Sequence, residues 1–295
     1  MTDPQPRPRL ERLLGTGVGE CQPIGGQFGV AHYRITLADG RVAFAKLGDL
    51  PTRDLPARDP AGFEAEALSL RWLGEAGAVP VPEVLACDKA ALVISWLPVQ
   101  APEPQAAQRF GRDLARMHAA GAEAFGAPWP GSIAGLPLSN RTGGSWPQWY
   151  VTERLLPYAR IARDRGSLSQ ADVRLIEAAA ARAADIAGPA QAPGRIHGDC
   201  WSGNVLWSGG RGWLIDPAAH GGHRETDLAM LALFGAPYLA RIIACYEEVT
   251  PLAAGWRERV ALHQLHPLLV HVCLFGGSYR SAALDASRAV LRQAG

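Results

Sequence analysis

In the stretch RIHGDCWSGNVLW, residues 195–207, Asp199 follows His197-Gly198, and Asn204 stands five residues further on. Two short apolar segments come next, NVLW and GWLID, joined by Ser208-Gly209-Gly210; the second ends in Asp216, seventeen residues after Asp199. A tight hairpin of that length returns Asp216 to the side of Asn204. Two carboxylates and an amide oxygen then share one loop. Oxygen-only donors suit Mg²⁺, which keeps several waters and leans on one or two carboxylates plus phosphates. That makes Asn204 and Asp216 the candidate metal ligands and leaves Asp199 to accept a proton from a hydroxyl. A base, metal donors and in-line placement are what phosphoryl transfer needs from a protein. Asp-x4-Asn followed by a strand-end Asp is the kinase catalytic spacing. A polar loop that caps turns would explain His-Gly-Asp alone, but not the Asn and the second Asp as well.

A site of this kind needs partners upstream. Gly25-Gly26-Gln27-Phe28-Gly29 sits in a predicted hairpin, where bare backbone at Gly25 and Gly26 can approach phosphate, although a chain with 33 glycines holds other such clusters. Of 29 basic residues only two are lysine, Lys46 and Lys89. Lys46 ends the apolar strand VAFAK, so its stem packs and its ammonium needs a partner. The helix expected over 61–76 offers Glu64 and Glu66. Phe63, Leu70 and Leu73 lie at −3, +4 and +7 from Glu66, which puts Glu66 on the apolar face; Glu64 faces Arg71 and solvent.

Around these residues the chain divides by character. Residues 22–47 read as two or three strands with glycine-rich turns, with Ala38-Asp39-Gly40 as a hairpin turn. A Pro- and Asp-rich loop over 51–60 follows, and a second strand pair ends in ALVISWL. After a linker near 97–103, helical patterns dominate: 104–120, 146–164, 169–187, 225–234, 237–249, 254–272 and 278–292. The expected architecture is α+β and bilobal, with a β-rich N-terminal lobe over 1–97 and a mainly α-helical lobe over 98–295. The first residues read as a frayed tail leading into a short helix. Net charge is +1 and apolar residues make up 48 %, so neither a nucleic-acid footprint nor a polybasic membrane patch is indicated. No run of eighteen apolar residues and no apolar signal core is found. Five scattered cysteines without a CxxC pair argue against a zinc site and fit a reducing cytoplasm.

HGDCWSGN, IDPAAHGGHRETDLAMLALFG and LFGGSYRS, with FEAEALSLRWL and NRTGGSWPQWYVTERL, resemble the fructosamine-3-kinase (ketosamine-3-kinase) family over about residues 22–290. That family shares the bilobal fold of protein kinases and aminoglycoside phosphotransferases. The resemblance implies ATP- and Mg²⁺-dependent phosphorylation of the 3-hydroxyl of ketosamines, small or protein-bound, with release of the amine as deglycation repair. It implies Asp199 as base, Asn204 and Asp216 on the metal, and Lys46 with Glu66 positioning phosphates. Backbone groups of Ser95-Trp96-Leu97 would meet adenine. Trp201, two residues past the base, would lay its indole on the sugar, unless it packs under the loop. His271 is a further substrate candidate, against the ordinary reading of a core histidine. Arg224 and Glu225, in the segment where the fold carries its short activation region, could meet substrate or pair internally; Asp227 could brace the catalytic loop. Some relatives carry a cysteine in the glycine loop; here Cys21 precedes it, so redox switching is not carried over. Monomer and weak dimer stay open.

Two competitors remain. One keeps the enzyme class with an aminoglycoside- or choline-like acceptor, which wants an acidic patch or an aromatic cage; neither is visible as a cluster in the sequence. The other is a catalytically silent kinase fold, which would be expected to have lost the base, the lysine or a metal ligand.

Overall fold

The structure, a computed structural model, describes residues 6–27, 29–48 and 62–294. The start of the N-terminal tail, Phe28 of the glycine turn and the Pro- and Asp-rich loop over 51–60 lie outside the described residues.

After α1 (Pro6–Leu14) the chain builds β1 (Val18–Gln27), β2 (Val30–Leu37) and β3 (Val42–Leu47), then α2 (Gly62–Glu75), β4 (Val84–Asp88) and β5 (Ala91–Ser95). The strands form one antiparallel sheet in the order β1-β2-β3-β5-β4. Strand alternation divides the side chains between two faces. Tyr33, Ile35, Ala43, Ala45 and Val93 pack with Leu10 of α1. Val30, Leu92 and Ile94 pack with Phe63, Ala67 and Leu70 of α2. Lys46 stands opposite Leu92 in the sheet, so it emerges on the α2 face, where Glu66 projects from the helix stripe.

The helical part begins with α3 (Pro104–Ala119), followed by the small hairpin β6 (Gly131–Ile133) and β7 (Leu136–Leu138). The helix expected over 146–164 is divided: α4 (Trp146–Tyr150), a π turn over Val151–Leu155, and α5 (Leu156–Asp164). Pro157 in the first turn of α5 has no N–H for the preceding turn, which explains the break. Then come α6 (Gln170–Ala181), started by a Ser169–Asp172 capping box, α7 (Ala183–Ile186), β8 (Gly194–Ile196), β9 (Val205–Ser208), β10 (Arg211–Leu214) and β11 (His220–Gly222). The chain closes with α8 (Glu225–Leu233), α9 (Leu239–Val249), α10 (Trp256–Phe275) and α11 (Arg280–Gln293).

Two close fits hold this part together. α3 crosses α9 at Gly111, where an added Cβ would lie 2.2 Å from the carbonyl oxygen of Ile242. Pro267 inside α10 cannot donate to the His263 carbonyl, and the buried Tyr150 hydroxyl takes over that acceptor at 3.1 Å. The span Trp256–Gln293 is long and apolar enough to cross a membrane by composition, but 56 % of its most apolar window is buried against the rest of the protein, as in a core helix.

Candidate active site

β9 and β10 pair from Val205 with Leu214 to Ser208 with Arg211, and the Ile215 N–H donates to the Asn204 carbonyl at 3.1 Å. This register sets Asp216 beside the Asn204 end of the loop. Asp216 has φ +53°, a left-handed conformation uncommon outside glycine and concentrated at functional sites. The Asn204 amide nitrogen donates to the Asp199 carbonyl oxygen at 2.9 Å and to its carboxylate at 3.1 Å. Only the NH₂ end can donate to two acceptors, so the amide orientation is fixed and Oδ1 is left as its lone-pair donor.

Lys46 reaches into the same place from the sheet. Its Nζ donates to Glu66 at 2.8 Å and to the Asp216 carboxylate, whose partner lies 170 residues away in sequence. Burial would push the ammonium pKa down, but the charges of Asp216 and Glu66 outweigh it and hold it above the usual lysine value. The Asp216 pKa is lowered in turn: burial would raise it and the Lys46 charge overrides that. Asp199 is pushed up to about 7, first by burial and then by the neighbouring Asp216 charge. Glu64 is exposed, as the helix phase requires.

The loop is held from beneath by Asp227 of α8, which is fully buried. Its carboxylate accepts the N–H groups of His197 at 2.7 Å and Gly198 at 3.0 Å, and also His118 Nε2 at 3.0 Å. Burial would raise the Asp227 pKa, but these hydrogen bonds keep it below the usual range. The buried His197 bridges the loop, its Nε2 donating to the Ile215 carbonyl at 2.9 Å and its Nδ1 accepting the Asp199 N–H at 3.2 Å. His118 and its role were not visible in the sequence, because nothing in α3 marks that histidine as the one facing α8.

Trp201 does not pack under the loop. It is 38 % exposed, and its ring crosses Gly203 so closely that a Cβ there would lie 2.2 Å from the indole. Its ring centroid lies 6.0 Å from that of Phe234. His271 sits among Phe234, Phe275 and Tyr279, at 5.0, 5.6 and 4.8 Å between centroids. Its Nδ1 donates to the Pro267 carbonyl at 2.7 Å, which leaves Nε2 as an acceptor, and burial lowers its pKa. An aromatic wall thus stands beside the loop. The sequence showed no such cluster because its members are scattered from 201 to 279.

Four expectations are corrected or narrowed. Glu225 does not face a substrate: it is 2 % exposed, and both oxygens are held by Arg259 at 2.8 and 2.7 Å. Arg224 is spent on α-lobe packing, donating to the Gln191 side chain at 2.9 Å and the Pro251 carbonyl at 2.7 Å. Of the Ser95-Trp96-Leu97 backbone, the Ser95 N–H already donates to the Glu83 carbonyl and the Trp96 N–H to the Val42 carbonyl. Gly25 (φ +123°) and Gly26 are required by the hairpin itself, since a Cβ on Gly26 would lie 2.3 Å from the Val30 carbonyl oxygen.

Comparison with known proteins places the chain in a family. A fructosamine kinase family profile matches residues 32–293. A Synechocystis protein named a probable ketoamine kinase is 32 % identical, covering 78 % of this chain and 79 % of its own. A chloroplastic protein-ribulosamine 3-kinase of Arabidopsis thaliana is 30 % identical, over 77 % and 71 % respectively. A crystal structure of a candidate fructosamine-3-kinase from Thermobifida fusca superposes with a TM-score of 0.91 at 50 % identity, covering 98 % of this chain and 99 % of that one. More distant phosphotransferase structures, at 15 % and 13 % identity, share the fold alone. The α+β, protein-kinase-like fold and the phosphotransferase class, with an alcohol group as acceptor, follow, and the chain belongs to the fructosamine kinase family.

Proposed function

We propose that this chain transfers the γ-phosphoryl group of ATP to the 3-hydroxyl of a ketosamine, and that the labile product then frees the amine. The observation that carries the reading is the meeting of Lys46, Glu66 and Asp216 directly beside Asp199 and Asn204, from parts of the chain 170 residues apart in sequence. The name of the Arabidopsis relative, a ribulosamine 3-kinase, supports the position of the hydroxyl.

In this reading Asp199 accepts the proton of the attacking hydroxyl, and Asn204 keeps its carboxylate turned toward that hydroxyl. Lys46, anchored by Glu66, holds ATP phosphate oxygens in line. Asn204 Oδ1 and the Asp216 carboxylate would hold Mg²⁺, whose chemistry is neutralisation of phosphate charge. The glycine turn at Gly25 and Gly26 covers the phosphates with backbone N–H groups, and the Leu97 N–H with nearby carbonyls reads adenine. The lobes divide at 97/98, so the cleft between sheet and helices is the nucleotide site. We place the activity in the cytoplasm; among the described residues all five cysteines are free thiols.

Substrate recognition falls to the aromatic wall. A ketosamine carries a sugar with apolar C–H faces and a protonated amine, and aromatic faces suit both. His271 Nε2 adds one acceptor for a substrate hydroxyl or ammonium. The same wall also suits a choline-like quaternary amine, which keeps that acceptor as the second reading. The test is ADP release with Mg·ATP and a panel of a fructosamine, a ribulosamine, an aminoglycoside and choline. Turnover with the ketosamines alone supports the first reading; turnover with choline alone replaces it with the second.

A further inference from the structure

A cavity of about 520 Å³ lies behind the catalytic loop, between α3, the segment before β8 and the end of α9 with the residues that follow it, away from Asp199 and the aromatic wall. That size is within the range of small-molecule sites. Its walls are mostly apolar, with Ala115, Pro193 and Leu252 among them, and its polar groups are Arg224, Gln191, His118 and Tyr246. Arg224 donates to neutral oxygens, those of Gln191, Thr250 and Pro251, and its guanidinium also lies against the Tyr246 hydroxyl. Among the described residues no carboxylate pairs with it, since the adjacent Glu225 is committed to Arg259. A guanidinium has five N–H donors in a planar fork that fits a carboxylate, and a partly buried cation surrounded by dipoles alone lacks its natural counter-ion.

The same cavity touches the support of the catalytic base. The Tyr246 hydroxyl lies 2.8 Å from His118 Nδ1. Because Asp227 is an acceptor, His118 Nε2 carries a proton toward it, and Nδ1 is the atom that meets the Tyr246 hydroxyl. Asp227 passes the link to the N–H groups of His197 and Gly198, immediately before Asp199. Two hydrogen bonds therefore run from the Tyr246 hydroxyl, through His118, to the carboxylate that holds the loop.

We propose that this cavity binds a small organic monoanion, a carboxylate with an apolar body, on Arg224, and that occupancy lowers turnover by drawing the Tyr246 hydroxyl away from His118. One cation with apolar walls selects a monoanion over a phosphate ester. The binding claim is independent of the proposed ketosamine activity; only the turnover claim rests on it.

The experiment titrates phenylacetate, with phenylacetamide as the neutral control, into the full chain and follows binding by protein-observed NMR. Saturable binding of phenylacetate, but not the amide, is expected in the wild type and in Asp199→Asn. Binding should weaken at least tenfold in Arg224→Gln and in Ala192→Phe, which fills the cavity from its exposed rim; melting of each variant without ligand confirms that it is folded. In the kinase assay phenylacetate should lower kcat several-fold at saturating ATP and leave KM for ATP unchanged, with no response in Arg224→Gln. No saturation up to roughly 10 mM, binding equal in the folded variants and wild type, or displacement by Mg·ATP each overturns the site. Binding as expected without any change in kcat overturns the link to the loop.

Discussion

Asp199, Asn204 and Asp216 at the mouth of the β9–β10 hairpin, and His223, Glu225 and His263 beneath α8, are each three polar side chains that could hold a cation, the first by oxygen alone and the second by two imidazoles and a carboxylate. In the second, one donor atom from each residue lies within 4.8 Å of the others, as a metal site would require. The difference is in how the atoms are already used. His223 Nδ1 accepts the Glu225 N–H at 3.2 Å, so its Nε2 carries a proton and has no lone pair for a cation. Glu225 gives both oxygens to Arg259, and His263 Nδ1 is paired with the Thr226 hydroxyl at 2.9 Å. The Glu225–Arg259 pair ties α8 to α10, while Nε2 of His223 and of His263 are buried without a hydrogen-bond partner. In the first cluster Asn204 is buried with its NH₂ on Asp199, and the Asp216 carboxylate, whose side chain is 35 % exposed, stands beside a single lysine. Residue type proposes a site, and the exposure of its carboxylate decides between the two.

Substitutions separate the two clusters. Asp199→Asn removes the base and should cut turnover by roughly 10²- to 10⁴-fold while ATP-induced stabilisation in a melting assay is kept; near-normal turnover would make the first cluster as silent as the second. Arg259→Ala leaves Glu225 as an unpaired buried charge and should cost about 3–5 kcal/mol in urea unfolding. A loss under 1 kcal/mol would mean that the second cluster does not hold α8 to α10.

Acid should act on the buried region first. His220, His223 and His266 are buried, and burial lowers their pKa values well below the usual imidazole range. The unfolded chain takes up protons near pH 6.5 that the folded chain does not, so folding stability falls as pH drops below that value. Each histidine that stays neutral to pH 5 costs about 2 kcal/mol there. Urea midpoints that are flat from pH 7.5 to 5 would contradict this. The smallest effect is expected at the rim: Trp201→Ala should raise KM for the ketosamine roughly tenfold, with KM for ATP unchanged. An equal rise in both would remove Trp201 from substrate recognition.

The clusters also differ in how well the sequence revealed them. Asp199, Asn204 and Asp216 sit in one hairpin, where spacing is nearly geometry. Lys46 and Glu66 could be paired because strand alternation and helix phase are periodic, and each places a side chain on a known face. Periodicity says nothing about which distant elements meet. The contact of Arg259 with Glu225, the His118 link to Asp227, and the gathering of Phe234, Phe275 and Tyr279 around His271 depend on how α3, α8 and α10 pack. For that reason the sequence left Glu225 evenly divided between substrate and ion pair, and gave no sign of the aromatic wall. The π turn before Pro157 was hidden as well, since the pattern over 146–164 reads as one helix.

The central claim is phosphoryl transfer to the ketosamine 3-hydroxyl at the Asp199 cluster. The most direct test incubates the full chain with Mg·ATP and a ribulosamine or fructosamine, then examines the sugar product by mass and by ³¹P–¹H correlation. The account predicts one added phosphate coupled to the proton on C3, absent when Asp199→Asn replaces the wild type. A phosphate on any other position, or the same product formed at the same rate by Asp199→Asn, would contradict it.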